Sequence, residues 1–123
     1  LGGASSLCRL DPADAPLLAA HSLVITADGS VWSWGSGGSC RLGHGDEQGQ
    51  SLPKKVEASL GDERAVSVSV GYCHNLALTA DGVWSWGYGS SGRLGHGNDR
   101  HQWQPKKVEA FAGQRVVAVS AGD

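Results

Sequence analysis

No stretch of the sequence approaches the ~20 consecutive apolar residues that a membrane-spanning helix needs, and the N-terminus lacks a basic region followed by an apolar run. These absences set the expectation of a soluble, intracellular chain, in the cytoplasm or nucleus, with no membrane partner. Charge of one sign is lacking too: 10 Lys and Arg stand against 12 Asp and Glu, for a formal net charge of −2. Such a balance gives no general attraction to a phosphate backbone, so nucleic acid is not an expected partner. Cysteine is sparse. Cys8, Cys40 and Cys73 are an odd number at spacings of 32 and 33, which fits neither a disulfide framework nor a zinc site, and we read them as free thiols in a reducing compartment. What the chain does have is glycine, 19 in 123 residues, and that excludes a helical bundle.

The glycines fall in a repeat. Val31 to Ala58 aligns without a gap on Val83 to Ala110 at an offset of 52, with 19 of 28 positions identical. Both segments carry Val-Trp-Ser-Trp-Gly, then Arg-Leu-Gly-His-Gly, then Pro-Lys-Lys-Val-Glu-Ala. The flanks are duplicated as well: His21 to Gly29 matches His74 to Gly82 at six of nine positions, and Arg64 to Gly71 matches Arg115 to Gly122 at five of eight. A duplication of this length means one supersecondary unit stacked on another. The chain stops partway into a third unit and is expected to be a fragment of a longer protein.

Each unit reads as four short strands. Ala65 to Val70 alternates valine with small or polar residues, and Val116 to Val119 resembles it, as a first strand should. His74 to Thr79 is the second, and Asp81-Gly82 or Asp28-Gly29 is a hairpin signal. Ser30, inserted in the first unit only, means that the two hairpins do not share one turn geometry. Trp32 and Trp34, like Trp84 and Trp86, lie two apart, so each pair projects from one face of an extended third strand. The stretch Gly35 to Gly45 is expected as a long surface loop, after which Pro53 or Pro105 opens a charged fourth strand at the sheet edge. Residues 1–20 lack the valine alternation, and we expect the first sheet to miss its innermost strand. The organisation is thus a non-repeat segment over 1–20, a first repeat with the start of the second sheet over 21–70, and a second repeat with the start of a third over 71–123. The fold class expected is all-β, an incomplete β-propeller of about two four-stranded antiparallel blades plus the first strand of a third.

The order of motifs resembles the regulator of chromosome condensation repeat family. Gly71, His74, Asp81-Gly82, Trp84-Ser85-Trp86-Gly87, Leu94 to Gly97, Pro105 and Val108 follow the family's sequence of features, and His21 to Val56 follows it again. The resemblance implies a seven-bladed β-propeller of about fifty residues per blade. It also implies a role as a nucleotide-exchange factor or as a binding module. The residues that carry the repeat are His21, Trp32, Trp34, Gly35, Gly43 and Gly45, and their counterparts His74, Trp84, Trp86, Gly87, Gly95 and Gly97.

Candidate chemistry is thin. Cys73 and His74 are neighbours on a strand and point to opposite faces, so they do not make a nucleophile and base. His21 and His74 read as packing residues whose ring nitrogens satisfy backbone groups near a strand start. His44 and His96, each between glycines, with His101 nearby, bring no further ligand at fixed spacing and read as loop-folding residues, not metal ligands. The glycine-rich stretches lack the Gly-x-x-x-x-Gly-Lys-Ser/Thr arrangement that cradles phosphates. No cofactor, metal or catalytic residue is expected. The four repeated tryptophans read as inter-sheet packing rather than a ligand-stacking or light-absorbing cluster. Lys54-Lys55 and Lys106-Lys107 alternate with acids and read as a solvated, edge-protecting strand. Where the units differ most, Arg100-His101-Gln102-Trp103-Gln104 replaces Gln48-Gly49-Gln50-Ser51-Leu52. Arg100, His101 and Trp103 have the composition of an interface hot spot and are the candidate partner-binding residues. The expectation is a non-enzymatic protein–protein interaction module whose partner the sequence does not identify. The alternative is guanine-nucleotide exchange on a Ran-type small GTPase by a full-length parent, and a third class is a regulatory domain attached to a ubiquitin ligase or kinase. With a blade's apolar face left open, the chain is expected to be marginally stable or self-associating when expressed alone.

Overall fold

Valine-rich and aromatic segments separated by glycine turns give seven strands and no α-helix in the computed structural model, which describes residues 20–57, 60 and 62–122. Cys8 and the non-repeat segment up to residue 19 lie outside the described residues. Strands β1 (His21–Ile25), β2 (Val31–Gly35) and β3 (Gln50–Lys55) form an antiparallel sheet in that order. Strands β4 (Ala65–Val70), β5 (His74–Thr79), β6 (Gly82–Gly87) and β7 (Gln102–Lys107) form a second, four-stranded one. The charged strands β3 and β7 are edges, as their Lys-Lys pairs require. Among the described residues the first sheet has no strand beyond β1.

Register explains how a strand carrying two indoles packs. Trp84 stands opposite Ala77 and Trp32 opposite Val24, so each indole lies over a smaller neighbour on the same face. At Gly87 the β6–β7 register shifts and φ is +109°; a Cβ there would lie 2.6 Å from the Cys73 carbonyl oxygen, so only glycine lets the strand leave the sheet.

The core sits between the two sheets. Val31, Val56 and Leu60 from the first unit meet Ala65, Ala77 and Trp86 from the second, with Leu23, Ile25, Val68 and Trp84 at the margin. Trp86 is fully buried. Burying an indole removes ~200 Å² from water, of order 5 kcal/mol at ~25 cal/mol/Å². Strand β5 is buried on both faces, whereas β1, with a similar sequence, alternates between half-buried and exposed, because the second sheet packs on only one side of the first.

Four details depart from the sequence reading. Each fourth strand opens three residues before its proline, at Gln50 and Gln102, because the edge position tolerates proline's missing N–H inside the strand. The second hairpin turns at Ala80-Asp81, with Gly82 already paired to Thr79; the Thr79 hydroxyl accepts the Asp81 and Gly82 N–H groups and braces the turn. The first hairpin closes instead by Thr26 N–H to Ser30 carbonyl at 2.9 Å, with Gly29 at φ +83°, so the extra serine does change the turn. The stretch Gly35 to Gly45 is not a surface loop: Ser36, Arg41, Leu42 and Gly43 are buried, because the second sheet lies over them. Residues 115–122 run beside β4, where Ala121 N–H donates to the Ser69 hydroxyl and Tyr72 N–H to the Gly122 carbonyl, but have no ladder partner among the described residues.

Candidate functional site

A serine between two tryptophans anchors each glycine-rich loop. Ser33 Oγ donates to the Leu42 carbonyl at 2.7 Å and lies 2.9 Å from His44 Nε2; Ser85 repeats both contacts with Leu94 and His96 at the same distances. Burial, with Lys54 and Lys106 respectively adding repulsion, lowers the pKa of His44 and His96. His44 and His96 are therefore loop-folding residues. Among the described residues no group of three or more His, Cys, Asp or Glu is placed to share a metal ion.

The arginines finish the loops. Arg41, fully buried, donates from Nε to the Gly38 carbonyl at 2.6 Å and from Nη1 to Ser36 Oγ at 3.2 Å. Arg93 donates to the Ser90 carbonyl at 2.8 Å and to Cys73 Sγ at 3.3 Å, with its guanidinium 5.0 Å over the Tyr88 ring. Cys73 is thus buried in a packing role, and His74 beside it is buried, its pKa lowered by desolvation and by Arg93. Burial, with Glu47 and Asp46, pushes the Cys40 thiol up to about 12.

The two sheets are also joined by polar contacts. His21 Nε2 lies 2.8 Å from Asn75 Oδ1, and Asn75 Nδ2 donates to the Arg41 carbonyl at 2.5 Å. His21 thus meets a side-chain amide of the next sheet, and among the described residues His74 Nδ1 has no hydrogen-bond partner. Sequence reasoning missed Asn75; the signal was its replacement by Ser22 in the other repeat. Glu63 accepts from the Thr79 hydroxyl, from Trp84 Nε1 at 3.2 Å and from Lys107 at 3.0 Å. Burial raises its carboxyl, but those hydrogen bonds together outweigh it and hold the pKa below the ordinary value. Lys107 is accordingly not a free, solvated lysine, whereas Lys54, Lys55 and Lys106 are exposed.

The variable loop rises from this scaffold. Arg100 N–H donates to Asn98 Oδ1 at 2.9 Å, the same turn that Gln48 N–H and Asp46 form in the first repeat. His101 stacks on Tyr88 with centroids 4.6 Å apart and accepts the Gly89 N–H at Nδ1. Trp103 on β7 is 48% exposed, while its carbonyl accepts the Gly45 N–H of the first sheet at 3.0 Å. All three candidate residues are exposed, and His101 in addition holds the loop through its stack on Tyr88 and its bond from Gly89.

The repeated tryptophans divide similarly. Trp84 and Trp86 lie between the sheets; Trp32 and Trp34, half-buried, occupy the face of the first sheet turned away from the second. Gly43 fits against Trp86 so closely that a Cβ on it would lie 2.7 Å from Nε1.

The family model described as the regulator of chromosome condensation (RCC1) repeat matches residues 28–78 and 81–123, and a second model of the same description matches 65–93. The chain is 44% identical over 104 residues to the E3 ubiquitin-protein ligase HERC2 of Homo sapiens, covering 84% of this chain and 2% of that protein. It is 41% identical over 105 residues to the Protein RCC2 homolog of Danio rerio, covering 85% of this chain and 21% of the other. It thus spans a small part of the relatives it matches. Among solved structures, Prp20p of Saccharomyces cerevisiae superposes with a TM-score of 0.71 at 24% identity, over 83% of this chain and 27% of that one. With the repeat matched across both duplicated segments and the sheets arranged as in Prp20p, the chain belongs to the regulator of chromosome condensation (RCC1) repeat family.

Proposed function

We propose that the chain is a non-enzymatic protein–protein interaction module that displays a variable loop from a propeller scaffold. The observation that carries this reading is the contrast within one loop. Its backbone is pinned by Asn98, by the Tyr88–His101 stack and by the Gly45 contact, while Arg100 and Trp103 point their side chains outward. A preordered loop loses little conformational entropy on binding, and Trp and Arg are the residues most enriched at interface hot spots. The partner is a protein, reached in a reducing compartment, cytoplasm or nucleus, where the buried thiols Cys40 and Cys73 stay unbridged. Trp103→Ala and Arg100→Ala variants test this by thermal melting and pull-down side by side. Loss of a bound protein at unchanged melting temperature supports the loop as the interface; unchanged binding, or binding lost only together with folding, removes it.

A second reading is guanine-nucleotide exchange on a Ran-type small GTPase by a longer protein that carries these repeats. It is prompted by Prp20p, whose structure is described together with its binding to Gsp1p and histones. Release of a fluorescent guanine nucleotide from the GTPase, measured with the full-length protein, decides it: acceleration supports exchange, and an unchanged rate discards it.

A further inference from the structure

The two repeats tie the returning arm of the glycine-rich loop back to its start by different groups. In the first repeat Glu47 Oε2 accepts the Ser39 N–H at 2.9 Å. In the second, Asp99 stands at the place of Glu47, shorter by one methylene, and the tie is made two residues further on, where His101 Nδ1 accepts the Gly89 N–H at 2.9 Å. The first repeat has Gly49 at the place of His101, so this contact has no counterpart there. Gly49 is exposed with the second sheet packed against the first, so a neighbouring sheet leaves this position open.

A carboxylate and an imidazole hold an amide under different conditions. Carboxylates ordinarily accept hydrogen bonds throughout the range from about pH 5 to 8, the range in which an imidazole ordinarily gains a proton. Because the Gly89 N–H donates to it, His101 Nδ1 is bare and the ring proton sits on Nε2. A second proton goes to Nδ1 and turns one N–H against another. Gly89 is buried, so its N–H loses its acceptor away from bulk water. The charged groups around the ring are Arg93, whose guanidinium stands 5.0 Å from the Tyr88 centroid, and Asp99 and Arg100 on the same arm. The Tyr88 ring, its centroid 4.6 Å from that of the imidazole, also attracts an imidazolium, so the stack survives protonation while the backbone tie does not.

We propose that His101 makes the variable loop a pH-gated display: neutral, it holds Arg100 and Trp103 in place for binding; protonated, it lets the arm go. This regulation rests on the reading of the loop as a protein-binding surface. A released arm must be ordered again when a partner arrives, which weakens affinity. The other two anchors, the Asn98 turn and the Gly45 N–H to the Trp103 carbonyl, are made by an amide and by backbone groups that do not titrate. They keep the arm attached to the scaffold, so the release is local to the residues between them. The first repeat, tied by Glu47, does not respond.

Nuclear magnetic resonance on the isotope-labelled chain, at about pH 7.5 and about pH 5.5, tests this. Expected at the higher pH are a bare His101 Nδ1, read from the ring nitrogen shifts, and a Gly89 amide protected from exchange. At the lower pH the Gly89 protection factor is expected to fall at least ~10-fold and the Arg100 to Trp103 backbone to become mobile, while Ser39 keeps its protection. His101→Phe, which keeps the stack without the acceptor, is expected to show the released arm at both pH values. His101→Asn, whose Oδ1 takes the place of Nδ1 and does not titrate, is expected to hold the arm at both. Gly89 protection indifferent to pH, loss at Ser39 together with Gly89, a pH response that persists in His101→Asn, or an arm in His101→Phe as ordered as in wild type at the higher pH overturns the proposal. These readouts need no partner. A pull-down unchanged by Trp103→Ala removes the interface reading and leaves the loop's pH response standing, so the two failures are told apart.

Discussion

Gly43 and Gly95 offer a matched pair for isolating the packing between repeats. Both have φ near +80° and sit in identical Arg-Leu-Gly-His-Gly segments, so an alanine at either position incurs the same left-handed strain, about 1–2 kcal/mol. The surroundings differ. At Gly43 the new methyl would lie 2.7 Å from Trp86 Nε1 and 3.0 Å from its Cδ1, with the indole fully buried and unable to swing aside; at Gly95 it would rest 3.4 Å from a valine methyl. Overpacking a filled site costs roughly 1–3 kcal/mol beyond the strain. Gly43→Ala is therefore expected to lose about 2–5 kcal/mol in total and Gly95→Ala about 1–2. Urea unfolding followed by tryptophan fluorescence, at a protein concentration low enough to keep copies apart, reads the difference as a shift in midpoint. Equal losses in the two variants, or a larger loss at Gly95, would refute the placement of Trp86 against the first repeat.

Ser85→Ala leaves the Leu94 carbonyl unsatisfied in a buried site and is expected to lower stability by about 1–3 kcal/mol in the same urea assay; a loss within error would show the loop is held by something else. The histidines give a pH signature. The folded pKa values of His44, His74 and His96 are lowered, so their contribution is present above the unfolded value near 6.5 and is lost as pH falls through the folded values. The urea midpoint should fall between pH 7 and 5, with a shallower fall in His74→Asn; identical slopes would contradict the buried, neutral His74. In a Cys8→Ser background, Ellman's reagent should find no reactive thiol in the native chain and two after denaturation, because Cys40 and Cys73 are both buried and burial, with nearby acids, holds Cys40 protonated. Rapid native labelling would contradict that burial. Lys107→Ala should change stability by less than about 1 kcal/mol, since the Lys107–Glu63 pair is partly solvated.

The duplication made the strands, their order and the Trp pairs legible, because a residue present in both repeats is one that every sheet needs. Environment was not legible, because it depends on what stands next to a repeat. Arg41 and Arg93 are both followed by Leu-Gly-His-Gly, yet the first is fully buried under the second sheet and the second half-buried over Tyr88. The glycine-rich loop read as surface for the same reason: its small residues are those that permit close approach of another sheet. The Asn75 bridge escaped notice because it lies where the repeats differ, at a serine in one and an amide in the other. In the variable loop Arg100, His101 and Trp103 are all exposed, and His101 also stacks on Tyr88, which the first repeat replaces with Ser36.

The stacking of one repeat on the next is tested most directly by a nuclear Overhauser measurement between the Trp86 indole N–H and the Gly43 α-protons. The packed sheets require a strong cross-peak, with those α-protons shifted by the indole ring current. A missing cross-peak, with an indole N–H that exchanges with water as fast as in the unfolded chain, would contradict it.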